Sequence, residues 1–174
     1  MTGTADTNDR RTPRWFFEQC EARYAPFTLD VAAIAENALC SRWLGPGSPY
    51  GEDGLTATWI TDAHWRPDTC WGNVPYGPPG TIERWIAKAR HERDLHGART
   101  LLLLPSDTST RWYHDVRRTE LIEHVPFRLG FEAPDGSTKG NSALFASVLV
   151  WVAPHLHTQR VPRRRRETRQ EMLL

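Results

Sequence analysis

The chain has 174 residues, with 22 basic and 21 acidic side chains leaving a formal net charge of +1. That length suits one domain with a real core and leaves little for a second module. The near-zero charge gives no global attraction to nucleic acid, and the longest apolar run, Leu101 to Leu104, falls far short of the ~20 residues of a membrane span.

The first residues are polar and lack the apolar segment of a secretory leader, so a cytoplasmic protein with a disordered stretch over 1–11 is expected. Cys20, Cys40 and Cys70 are odd in number and widely spaced, which fits neither a zinc site nor a disulfide framework. Free thiols in a reducing compartment are the expectation, with no metal. Some of the eight tryptophans belong to a core, while others sit in polar contexts that suit a stacking surface.

In chain order, Arg14 to Arg23 predicts a short helix, with Thr12 as its cap and Pro13 at its first position. Phe27 to Val31 predicts a strand and Ala32 to Leu44 the helix after it. A Gly- and Pro-rich loop follows over Gly45 to Gly54, then a weak strand over Leu55 to Ile60. Cys70 to Asn73 predicts a second strand. Ile82, Trp85, Ile86 and Ala89 recur at helical spacing, so a helix is expected from about Thr81 to His96. Arg99 to Pro105, with its four leucines, suits a central strand buried on both faces. Thr110 to Arg118 predicts a short helix or turn. Leu121 to Phe131 and Ala143 to Val152 predict two strands joined by the polar loop 132–141.

This alternation argues for an α/β fold, a mostly parallel sheet with helices on its faces and an antiparallel C-terminal hairpin. The folded domain is expected over 12–154 and a basic tail over 155–174. In such sheets ligands gather beyond the carboxyl ends of the strands, where Asp30 and Asn73 would stand. Arg160, Arg163, Arg164, Arg165, Arg166 and Arg169 crowd the tail. Such a run is either a solvated tail or a source of salt-sensitive phosphate contacts.

The most informative segment is Asn73-Val74-Pro75-Tyr76, followed by Gly77-Pro78-Pro79-Gly80. An asparagine oxygen and the next carbonyl can each accept one N–H of a flat, conjugated amine. Proline stiffens the backbone and a tyrosine ring offers a stacking face. By itself the tetrapeptide reads equally as a loop turn.

With the strand ends placed, the sequence resembles the phage-type DNA adenine-N6 methyltransferases, an S-adenosylmethionine-dependent family related to Dam enzymes. The resemblance begins at Thr12-Pro13 with Trp15 and continues through Phe27 to Ala33, Asn37-Ala38, Asp53-Gly54-Leu55 and Trp59. It then takes in Trp71 to Gly77, Ile82, Trp85-Ile86, Lys88-Ala89, Leu102 to Pro105, Thr108, Thr110, Trp112 and His114, covering roughly 12 to 152. It implies a Rossmann-like methyltransferase sheet, with S-adenosyl-L-methionine as cofactor and double-stranded DNA as partner, in a bacterial host and encoded by a phage or prophage. Carried over residue by residue, Asn73, Val74, Pro75 and Tyr76 would be catalytic. Thr12, Pro13, Trp15, Asp30, Ala32 and Asp53 would hold the cofactor, and Arg111, Trp112 and His114 would meet the substrate. Plain capping by Asp30 or Thr12, and turn-shaping by Asp53, are the competing readings.

Two departures stand out. The family usually carries a second proline where this chain has Val74, although a backbone carbonyl is all that position must supply. Asp107 and Ser109 stand where an arginine and an aspartate are typical. These departures keep open a catalytically silent DNA- or protein-binding relative, and the lack of a dedicated recognition domain keeps open an amino-methyltransferase acting on RNA or protein. An unrelated nucleotide-binding protein is disfavoured because no Gly-rich phosphate loop is present. With no separate recognition domain, sequence reading would fall to loops 44–54 and 132–141 or to a partner.

Overall fold

The computed structural model describes residues 11–60, 69–133 and 145–154. Its elements are α1 (Arg14–Arg23), β1 (Leu29–Asp30), β2 (Thr69–Gly72), α2 (Thr81–His96), β3 (Arg99–Pro105), α3 (Arg111–Thr119), β4 (Leu121–His124) and β5 (Ser147–Val152). They form an α/β fold around one sheet of strand order β1-β2-β3-β5-β4. The N-terminal residues 1–10, most of the 132–141 loop and the tail 155–174 lie outside the described residues.

The leucine run sits at the sheet's centre, and alternation along a strand sends its side chains to two cores. Leu102 and Leu104 join one cluster with Ile82, Trp85, Ile86, Trp112 and Val116 of α2 and α3. Leu101 and Leu103 join the other with Phe16, Phe17 and Cys20 of α1. All four leucines are completely buried, as both-face packing requires. The α2 helix stops at Gly97, whose φ of 71° is the left-handed conformation that glycine adopts cheaply, and whose N–H donates to the Arg93 carbonyl.

Several expectations are corrected. The C-terminal strands β4 and β5 pair antiparallel as expected and β1–β2 and β2–β3 are parallel, but β3–β5 is antiparallel too, so the sheet is mixed rather than mostly parallel. The strands expected over 27–31 and 121–131 shrink to two and four residues. No helix forms over 32–44, because side chains claim the backbone donors a helix needs. The Asp30 carboxylate accepts the N–H groups of Ala32 and Leu39, and the Asn37 carboxamide oxygen accepts that of Ile34. The chain instead returns along the outer edge of β1, where the Asp30 N–H donates to the Arg42 carbonyl and the Leu44 N–H donates to that of Asp30. Nor is 55–60 a strand. Thr56 and Ala57 donate back to the Asp53 carbonyl, and the Trp59 N–H donates to the buried Glu92 carboxylate of α2. Arg11 is also ordered: it exchanges backbone hydrogen bonds with Glu132.

Candidate functional site

Because β1 and β2 run parallel side by side, Asp30 and Asn73 emerge from the same end of the sheet. Both line a small polar concavity of about 70 Å³, together with Arg11, Thr12, Ala32, Asn37 and Pro75. The helix α1 is not capped by Thr12; it starts from Pro13, whose carbonyl accepts the Phe16 and Phe17 N–H groups. The Thr12 hydroxyl is therefore released from capping. It is buried, 5% exposed for the residue, and without a hydrogen-bond partner among the described residues. A buried hydroxyl left this way costs free energy unless something enters the concavity to meet it.

Asp30 is 3% exposed, and burial pushes its carboxyl up to about 6, partly offset by the Leu39 and Ala32 N–H groups that it accepts. Each carboxylate oxygen has a second lone pair, so shaping the loop does not exhaust it. Burial, reinforced by Asp30 and Glu21, also drives the neighbouring Cys40 thiol upward, which makes it an inert thiol rather than a nucleophile.

A second concavity of about 380 Å³ abuts the first, sharing Ala32, Asn37 and Pro75 with it. Val31, Ala33, Ile34, Leu44 and Trp85 give it apolar walls, and the carboxylates of Glu52 and Asp53 line it as well. Asp53 also accepts the Leu55 N–H at 2.9 Å, so turn-shaping and a place in the concavity coexist. Two glycines let the 45–54 loop close this wall. A Cβ on Gly54 would lie 1.9 Å from the Val31 carbonyl oxygen, and one on Gly45 would lie 2.0 Å from that of Ala33.

In the tetrapeptide, the Tyr76 hydroxyl donates to the Asn73 carboxamide oxygen at 3.1 Å, with the Leu103 carbonyl at 3.4 Å. The Tyr76 ring is half-buried and stands edge-on to Phe145, 5.6 Å between centroids. Val74 is 2% exposed and its side chain packs in the core. What that position can offer outward is backbone, so a valine in place of proline removes no functional group.

The remaining candidates are not gathered here. Trp15 is 48% exposed and packs against Phe127, and it lines neither concavity. Arg111 and His114 lie exposed on α3. Trp112, expected to face a substrate, is 5% exposed and packs with Val116 against the sheet, because the apolar side of α3 turns inward. Asp107 and Ser109 form a local turn before α3, with the Ser109 hydroxyl and N–H holding the Asp107 carboxyl below its usual range. Sequence reasoning assigned no role to Asn37 beyond the family likeness, and none to Glu52, Gly45 or Gly54 in a wall. The glycines were visible as a loop signal, but their neighbours across the chain were not.

Among the described residues no group of His, Cys, Asp and Glu is arranged to hold a metal, and no helix is long and apolar enough to cross a membrane. Residues 2–171 match the family described as DNA N-6-adenine-methyltransferase (Dam). The chain belongs to that family. Within it, the chain is 30% identical over 110 residues to a DNA N-6-adenine-methyltransferase of Escherichia phage T1, covering 62% of this chain and 40% of the relative. It is 28% identical over 126 residues to a DNA N-6-adenine-methyltransferase of Haemophilus phage HP1 (strain HP1c1), covering 71% of this chain and 65% of the relative. The Dam-family match takes in every element of the sheet and both concavities. The chain spans less than two thirds of the length of either phage relative.

Proposed function

We propose that this Dam-family protein is a DNA adenine methyltransferase, transferring a methyl group from S-adenosyl-L-methionine to the N6 amine of an adenine flipped out of duplex DNA. It would act in the cytoplasm of a bacterial host and be encoded by a phage or prophage. The sheet would be an abbreviated form of the Rossmann-like methyltransferase sheet, with its ligands beyond the carboxyl ends of β1 and β2. The observation that carries the reading is the convergence of Asn73 with Asp30 and the unpartnered Thr12 hydroxyl in one concavity continuous with a larger apolar one.

The groove suits such a cofactor. Arg11 and Thr12 supply a cation and a hydroxyl donor for a carboxylate, and Asp30 supplies a carboxylate for an ammonium. Glu52 and Asp53 supply acceptors for ribose hydroxyls, and the apolar walls suit a flat base. When bound, S-adenosyl-L-methionine supplies a methyl group activated by a sulfonium. The chain's task is then positioning, which alone can account for a large part of a barrier.

The adenine amine is a weak nucleophile because its lone pair is delocalised into the ring. Accepting its two N–H groups at the Asn73 oxygen and the Val74 carbonyl favours a more pyramidal nitrogen, with the lone pair directed at the methyl. Tyr76 stacks on the extruded base and offsets part of the unstacking cost. Asn73 is no base at neutral pH, so the proton leaves to water after transfer. The silent-binder alternative drew on Val74 and on the Asp107 and Ser109 departures; the burial of the Val74 side chain weakens the first ground alone.

The test is transfer of a tritiated methyl group to unmethylated duplex DNA. The natural protein labels adenine, and Asn73→Ala reduces labelling at least ~100-fold, the scale at which loss of a positioned transition-state contact is felt. Equal labelling by both proteins sinks the assignment of Asn73.

A further inference from the structure

We infer that Asn37 is a ligand-donating residue at the seam of the groove, its NH2 group directed at the bound cofactor. The inference rests on the cofactor reading above and adds to it a contact where the polar and apolar halves meet. Asn37 lines both concavities. Its carboxamide oxygen is committed, accepting the Ile34 N–H at 2.9 Å, while its own backbone N–H donates to the Ile34 carbonyl at 3.1 Å. Turning the amide over would set its NH2 against the Ile34 N–H, donor against donor, so the orientation is fixed by the loop.

The NH2 group is left with no acceptor among the described residues. It is a donor prepared by the fold and unspent within it. Nearby, the Thr12 hydroxyl is buried and also lacks a partner among those residues. Two unspent donors in one cleft call for a ligand rich in acceptors, and they are arranged around the Asp30 carboxylate, which takes an ammonium. A zwitterionic amino-acid end joined to a nucleoside has that pattern. Asn37, standing where the halves join, meets an acceptor oxygen near that junction.

Calorimetry with S-adenosylhomocysteine tests this without relying on catalysis. Asn37→Asp keeps the acceptor for Ile34 and removes the donor, while Asn37→Ala removes both. Both variants bind about tenfold more weakly than the natural protein, the scale of one hydrogen bond. Asn37→Asp also keeps the natural melting temperature within a few degrees. In the natural protein labelled with nitrogen-15, the Asn37 side-chain amide resonances shift when S-adenosylhomocysteine is added. Natural affinity in Asn37→Asp, with weakening only in Asn37→Ala, overturns the inference and leaves Asn37 a loop cap. No binding by the natural protein removes the cofactor reading itself, and this inference with it.

Discussion

Asp30 shapes the loop after β1 and, under the proposed cofactor reading, would also hold an ammonium; its ionisation separates the two. Its carboxyl is pushed up to about 6 by burial, from 3.8 in an open chain. Between those values the folded state binds the extra proton, so this group's contribution to stability falls as pH rises from about 4 to about 6 and is level above. Ligand binding runs the other way, because only the ionised carboxylate attracts an ammonium. Affinity for S-adenosylhomocysteine therefore increases from pH 5 to pH 7, with proton release on binding near pH 6 that calorimetry in two buffers of different ionisation heat detects. Asp30→Asn flattens that pH profile; an unchanged profile would take Asp30 out of the ligand's reach. At the same scale, the reading of Asn73, Val74 and Tyr76 was open to sequence reasoning because it depends on adjacent atoms. The burial of Trp112 was not, since it depends on which side of α3 meets the sheet.

The segments that departed most from expectation are those following β1. From residue 32 to residue 44 the chain has apolar spacing that suits a helix, yet Asp30 and Asn37 take its amide donors for themselves. Local side-chain competition of this sort leaves no periodic trace. The loop that closes the apolar half of the groove depends on Gly54, where a methyl group would strike the Val31 carbonyl and crowd the Trp85 ring at 3.0 Å. Gly54→Ala is thus expected to cost about 1–3 kcal/mol of stability and to weaken S-adenosylhomocysteine binding more than tenfold, measured by melting and by calorimetry. Gly47 is the comparison, since a methyl group there would meet no atom within 4 Å. Gly47→Ala leaves binding near natural, its φ of 77° making the cost conformational and local. The helices α2 and α3 are locked to each other by charges, Arg90 reaching Asp115 and Glu120 while Arg93 also reaches Glu120.

For the molecule as a whole, the near-balanced charge of +1 means that the proposed attraction to DNA would fall to local clusters, of which the arginines from Arg160 to Arg169 are the densest. Removing 155–174 is expected to lower the dependence of duplex binding on salt by roughly 0.9 in the log–log slope for each phosphate no longer neutralised, with melting temperature unchanged. An unchanged slope assigns the tail no phosphates. The central strand, the helices α1 and α2, the tetrapeptide at the end of β2 and the family likeness were all legible in the residues themselves. Each rests on local chemistry: alternation, 3.6-residue spacing, a stiff Pro turn, neighbouring acceptors. What only the tertiary structure decided is how distant segments share space. It brought Thr12 and Asn37 to the concavity of Asp30 and Asn73, turned the β3–β5 pairing antiparallel, and folded 45–54 against β1's end. Those outcomes depend on contacts between residues far apart in the chain, set by which faces pack and which donors are already spent.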